Sequence, residues 1–152
     1  MGDLGTLAMV ADPGGAVFGL WQGAAHRGFG QTRRPGSFTW FEVHVPDTAA
    51  ADAFYEGVFG YSTVDAGEEL RLWAPAGTTF GPDTAIGGRK LQADAAGPAY
   101  VESFFGVADC DAAARKADGL GGTVLRRPFD TPFGRLAVLA DDQGAAFVIE
   151  AR

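Results

Sequence analysis

One histidine and three glutamates stand where side chains of their type can do chemistry. In SFTWFEVHV, residues 37–45, the two-residue alternation of a strand puts Trp40, Glu42 and His44 on one face. In AYVESFFGV, residues 99–107, Glu102 and Phe104 share a face, and near the C-terminus so do Val148 and Glu150. If these strands line one cavity, Glu42, His44, Glu102 and Glu150 meet there. Carboxylates beside an imidazole can move a proton or hold a divalent ion. The plainer alternative is a solvated Glu150 and a His44 that caps the rim. Trp40, Trp73, Phe104, Phe80 and Phe129 offer aromatic walls, and stacked rings contribute about 0.5–1.5 kcal/mol each beyond burial.

The other reactive types are less well placed. His26 lies in a glycine-rich stretch and is expected to be exposed. Cys110 begins a helix but has no basic neighbour to stabilise a thiolate, so it reads as packing. GGRK and GLGG lack the strand-to-helix context of a phosphate loop and read as turns. Arg126, Arg127 and Arg135 fall in RRPFDTPFGR, which joins two strands; they read as solvated, the alternative being contact with an anionic ligand.

The elements that must position these residues follow from punctuation and periodicity. Residues 4–22 form two short strands around the turn ADPGG. Residues 23–36 carry no periodicity and read as a linker, with Arg27, Arg33 and Arg34 in solvent. From residue 37 a strand leads to a helix capped by Asp47 or Thr48, whose face is Ala50, Phe54 and Val58, and which stops at Gly60. Three strands follow: YSTVDA, LRLWAP and TAIGGRKL.

The same order then recurs: AYVESFFGV, a helix capped by Asp109 or Asp111, and the strands TVLRRPF, GRLAVLA and AAFVIEA. Residues 37–94 and 98–152 are therefore two βαβββ units. Neither can bury a sheet face and a helix stripe alone. Paired, they give an α+β fold with one curved, mostly antiparallel eight-stranded sheet and the helices outside. Its concave face is the expected ligand site.

The chain has 152 residues, 47% of them hydrophobic, enough for one domain. A net charge of −7 argues against nucleic acid or an anionic membrane as partner. A single cysteine cannot form an intramolecular disulfide, and no apolar run of about 18 residues suggests a membrane span. The expectation is a cytoplasmic protein that binds a small molecule.

A second repeat joins the two ends. GTLAMVADPGGAVFGLWQ, residues 5–22, and GRLAVLADDQGAAFVIEA, residues 134–151, share eight of eighteen positions at an offset of 129, including Asp12/Asp141, Gly15/Gly144 and Phe18/Phe147.

These segments, with VPDTAAADAFYEGVFGY and the stretch from Gly106 to Phe147, resemble the vicinal oxygen chelate superfamily of glyoxalases, bleomycin-resistance proteins and extradiol dioxygenases. The likeness is strongest to tandem two-module glyoxalase-like proteins. It implies that residues 1–22 are the closing hairpin of a preceding module, and that residues 37–152 are a complete one. Exposed strand edges or that hairpin would pair two copies into a homodimer.

The resemblance also implies four metal-ligand positions. They fall on Trp40, near Gly87, on Glu102 and on Val148, of which only Glu102 is a ligand type. The expectation is a protein without the standard metal or other cofactor, binding a hydrophobic or aromatic metabolite through Trp40, Trp73, Phe104, Val148 and Glu150. The alternative is a lyase, isomerase or dioxygenase-type enzyme. There Glu42, His44 and Glu102 act catalytically, and a divalent metal sits at Glu42, His44, Glu102 and Glu150.

Overall fold

The structure, a computed structural model, describes residues 2–94 and 97–151. The outer limits expected at residues 1 and 152 lie outside them. Described strands are β1 (Gly5–Ala11), β2 (Val17–Gly23), β3 (Phe38–Val45), β4 (Ser62–Asp65), β5 (Leu70–Ala74), β6 (Gly87–Leu91), β7 (Tyr100–Gly106), β8 (Thr123–Thr131), β9 (Gly134–Ala140) and β10 (Ala146–Ala151). The helices are α1 (Thr48–Phe59) and α2 (Cys110–Gly119). The fold is α+β: β1 and β2 form a hairpin, and the other strands follow the orders β4-β5-β6-β3 and β7-β10-β9-β8. Its β3–β6 and β7–β10 pairs are parallel, while β4–β5, β5–β6, β8–β9 and β9–β10 are antiparallel.

The chain divides into two compact units. The first holds residues 1–29 and 41–101. Here α1 starts because the Asp47 carboxylate accepts the Ala50 N–H at 3.0 Å, and it stops at Gly60, whose φ of 62° suits a residue without a Cβ. Its buried stripe is Ala51 and Tyr55, backed by Phe54 and Phe59, and not the expected Ala50–Phe54–Val58; Val58 is exposed. The helix is turned so that Tyr55 reaches Trp73 and Asp12. The β1–β2 hairpin belongs to this unit. Ala16 is fully buried, and Phe18 packs on Tyr55 and Phe59 with ring centroids at 5.8 and 6.2 Å.

The unit is also tied by ions. Arg89, almost fully buried, makes a two-pronged pair with Asp52 at 2.9 and 3.0 Å and donates to the Glu69 carbonyl. Arg71 bridges Asp65, Glu56 and Asp52, and those carboxylates hold its guanidinium above its ordinary range, with Asp65 the leading cause.

The second unit holds residues 30–40 and 102–152. Asp109 caps α2 by accepting the Ala112 N–H at 2.9 Å. Cys110, Ala114, Ala137, Leu139 and Ile149 form its core. Burial raises the Cys110 thiol, consistent with packing. Arg135, expected in solvent, is instead paired with Asp111 and Asp130, and Arg126 lies over the Phe129 ring at 3.6 Å.

The expected linker is only partly featureless. β2 runs to Gly23, and residues 33–37 form a pinned turn in the second unit. There the Arg33 N–H donates to the Phe38 carbonyl, and Ser37 Oγ both accepts from the Arg34 N–H and donates to the Arg34 carbonyl.

Candidate functional site

The side-chain alternation of β3 decides which residues can do chemistry. Val43 and Val45 turn into the core with Tyr55 and Trp73, so Trp40, Glu42 and His44 take the other face. In the parallel register with β6, Glu42 stands opposite Gly88 and His44 opposite Lys90. His44 is buried, and its Nε2 lies 3.6 Å from Glu42 Oε2. The Tyr100 ring stacks on the imidazole, centroids 4.7 Å apart and planes 6° from parallel, which fixes the tilt of the histidine. Lys90 Nζ comes within 3.9 Å of the same Glu42 oxygen.

Glu102 follows two residues after Tyr100 on β7, the strand whose residues belong to both units. Glu42 and His44 each offer a ligand atom, and these lie within 4.8 Å of one another in the first unit. A carboxylate and an imidazole are a donor pair that suits Mn, Fe, Zn or Ni. Of the other residues named for this cluster, Glu102 belongs to the second unit, and so does Glu150. It stands opposite Gly106 on the β7–β10 pair and lines a separate cavity with Arg33 and Arg34.

The remaining expected lining residues divide. Val148 stands opposite Phe104, and both are buried, forming an apolar pair in the second unit. Trp73 does not line a ligand face. It is fully buried among Tyr55, Tyr61 and Phe41, with centroids at 4.6, 5.3 and 6.1 Å. Its contact with Tyr55 of α1 puts it on the helix side of β5.

The ligand position expected near Gly87 is closed to any side chain. A Cβ on Gly87 would lie 2.5 Å from the Phe41 ring, and one on Gly88 would lie 2.5 Å from the Arg71 carbonyl oxygen. No carboxylate can replace either glycine without moving a ring or a strand. Of the ligand positions implied by the resemblance, the one near Gly87 therefore has no room for a ligand side chain.

A family profile for a glyoxalase-like domain matches residues 40–149. The chain belongs to the glyoxalase-like family, within the vicinal oxygen chelate superfamily. It is 38% identical over 151 residues to an anthracycline biosynthesis protein, DauV, of Streptomyces sp. (strain C5), covering 98% of this chain and 54% of that protein. It is 36% identical over 154 residues to a putative glyoxylase, CFP32, of Mycobacterium tuberculosis, covering 98% and 57%. The chain thus spans about half the length of these relatives. Among solved structures, the Mn(II)-bound glyoxalase from Novosphingobium aromaticivorans superposes with a TM-score of 0.56 at 17% identity, over 78% of this chain and 39% of that one. That likeness concerns the fold. No described helix is long and apolar enough to cross a membrane.

Sequence reasoning passed over Lys90 and Tyr100, which flank the Glu42–His44 pair. The tyrosine's place at the start of a strand that also carries Glu102 was the available signal. It also passed over Arg33, Arg34 and Thr39 as cavity residues. The Arg-Arg-Pro-Gly turn was the available signal there, because proline fixes its own φ and restricts the residue before it.

Proposed function

We propose that this glyoxalase-like protein binds a small, flat hydrophobic or aromatic metabolite and acts on one of its oxygen-bearing groups through Glu42 and His44. The observation that carries this reading is the buried His44 imidazole, held by Tyr100 with the Glu42 carboxylate 3.6 Å from its Nε2. A positioned imidazole–carboxylate pair can take a proton from a bound molecule and return it. The two side chains would also suit a divalent ion, which when bound would polarise a carbonyl or hydroxyl oxygen. Two protein ligands would leave positions for the metabolite. Lys90 opposes such an ion, since its positive charge competes for Glu42. Its half-exposed side chain is free to swing into solvent. The aromatic ligand class draws on Trp40 beside the pair and on a relative named for anthracycline biosynthesis.

A second reading, a binder without metal, is supported by the closed Gly87–Gly88 position and by Trp40 and Val148 at two other expected ligand positions. Titration of chelator-treated protein with Mn²⁺, followed by electron paramagnetic resonance, separates the two. One bound equivalent, lost in both His44→Ala and Glu42→Gln, supports the metal-assisted reading. Saturable metabolite binding that needs His44 in metal-free protein supports the second. Binding of ion and metabolite unchanged by both substitutions overturns the role given to the pair.

Cytoplasmic location and a homodimer belong to the same proposal. Leu7, Met9 and Val17, which the hairpin leaves exposed, support the dimer.

A further inference from the structure

In the second unit, Arg33, Arg34, Pro35 and Thr39 face Gly106, Val107 and Glu150 around a cavity of about 140 Å³. None of these residues belongs to the Glu42–His44 group. The cavity wall is built by backbone contacts. The Gly36 N–H donates to the Gly106 carbonyl at 2.8 Å, and the Gly106 N–H donates to the Ser37 carbonyl at 2.9 Å. The two segments approach so closely that a Cβ on Gly106 would lie 2.7 Å from the Arg34 carbonyl oxygen and 3.0 Å from Thr39 Cγ2. Arg33 holds a φ of 60°, a left-handed conformation that costs energy in a non-glycine residue and that these contacts impose.

The groups on the wall ask for a guest of one kind. Thr39 is 6% exposed, and its Oγ1 has no hydrogen-bond partner among the described residues. A buried hydroxyl left so carries an uncompensated loss of hydration, which a bound molecule would offset. The hydrogen bonds of Arg34 among the described residues are made by its main chain, so its guanidinium is available to an anion. Across the cavity stands the Glu150 carboxylate, 4% exposed, whose oxygens accept hydrogen bonds.

We propose that this cavity binds a small carboxylate that also carries a hydroxyl or ammonium group. The carboxylate meets Arg34. The hydroxyl or ammonium donates to Glu150, and a remaining guest oxygen accepts from Thr39 Oγ1. A cavity of about 150 Å³ holds a guest of about six heavy atoms, the size of a short hydroxy acid or amino acid. The donor is what separates this guest from a simple anion, because only it can hydrogen-bond to a carboxylate oxygen.

Titration of ¹⁵N-labelled protein with D-glycerate and with L-serine tests the site, with propionate lacking the donor and glycerol lacking the anion. The expected result is saturable shifts of the Thr39, Gly106 and Val107 amides with glycerate or serine, at least about tenfold weaker with propionate or glycerol. Arg34→Gln should weaken binding by about tenfold or more, with Arg34→Lys recovering part of it. Thr39→Val, nearly the same shape, should weaken it without altering the amide spectrum of the free protein. His44→Ala should leave it unchanged, which keeps this site distinct from the function proposed above. The proposal is overturned if those amides do not move at about 50 mM of either ligand. Propionate binding as tightly as glycerate, or binding that survives Arg34→Gln intact, overturns it equally.

Discussion

The turns at residues 12–16 and 141–145 are the same turn built twice. In the first, the Asp12 carboxylate accepts the N–H groups of Gly14 and Ala16 at 2.9 and 2.8 Å, and the Asp12 N–H donates to the Ala16 carbonyl at 3.0 Å. In the second, Asp141 accepts from Gln143 and Ala145 at 2.9 and 2.8 Å and donates to the Ala145 carbonyl at 3.0 Å. Gly15 and Gly144 take φ of 96° and 91°, a region that suits a residue without a Cβ. The repeat at an offset of 129 is therefore a repeat of backbone wiring. What differs is the second oxygen. Asp12 Oδ2 accepts the Tyr55 hydroxyl at 3.0 Å inside the first unit, while Asp141 is exposed. Burial, followed by the Asp12 charge, raises the Tyr55 hydroxyl far above its ordinary range, so it stays a donor. A local motif has become a tertiary fastener in one copy and stayed local in the other.

That difference is open to measurement. Asp12→Ala should have the largest effect, about 3 kcal/mol in urea unfolding, because it strands two N–H groups and a buried hydroxyl. An effect no larger than that of Asp141→Ala would dissolve the contrast. Gly15→Ala and Gly144→Ala should each cost about 1 kcal/mol and match one another, since the strain lies in the backbone and not in the surroundings. Unequal costs would mean that burial reaches the glycines too.

Asp141→Ala should have the smallest effect, seen as a modest fall in Tm. Backbone N–H groups, Ala145 first, hold the Asp141 carboxyl below its ordinary range. Its contribution is thus present above the ordinary carboxylate pKa and is lost as pH falls through the lowered one. The Tm gap between wild type and Asp141→Ala should therefore close in acid, and a gap that widens there would reverse the assignment.

Features that depend on neighbours along the chain could be read without coordinates. The Asp47 and Asp109 caps, the glycine stops and the paired turns are set by a handful of consecutive residues. Strand alternation likewise grouped Glu42 with His44 correctly. It could not place Trp73, because a period of two defines two faces without naming the one that meets the helix. The Trp73–Tyr55 contact settles that. Helical spacing was off by one residue for α1, where Ala51, Tyr55 and Phe59 take the place of Ala50, Phe54 and Val58.

The sequence by itself determined the α+β class, the twofold βαβββ order, the family, and the lack of ligand-type side chains at three of the four expected metal positions. Each rests on residue type and local spacing, which the chain carries unfolded. Only the tertiary structure decided that His44 lies against Glu42 and Tyr100 in the first unit, while Glu150 joins Arg33, Arg34 and Thr39 in the second. It also decided that Gly87 and Gly88 leave no room for a ligand. Those outcomes depend on strand register and on close approach between segments distant in sequence, and no local pattern encodes either.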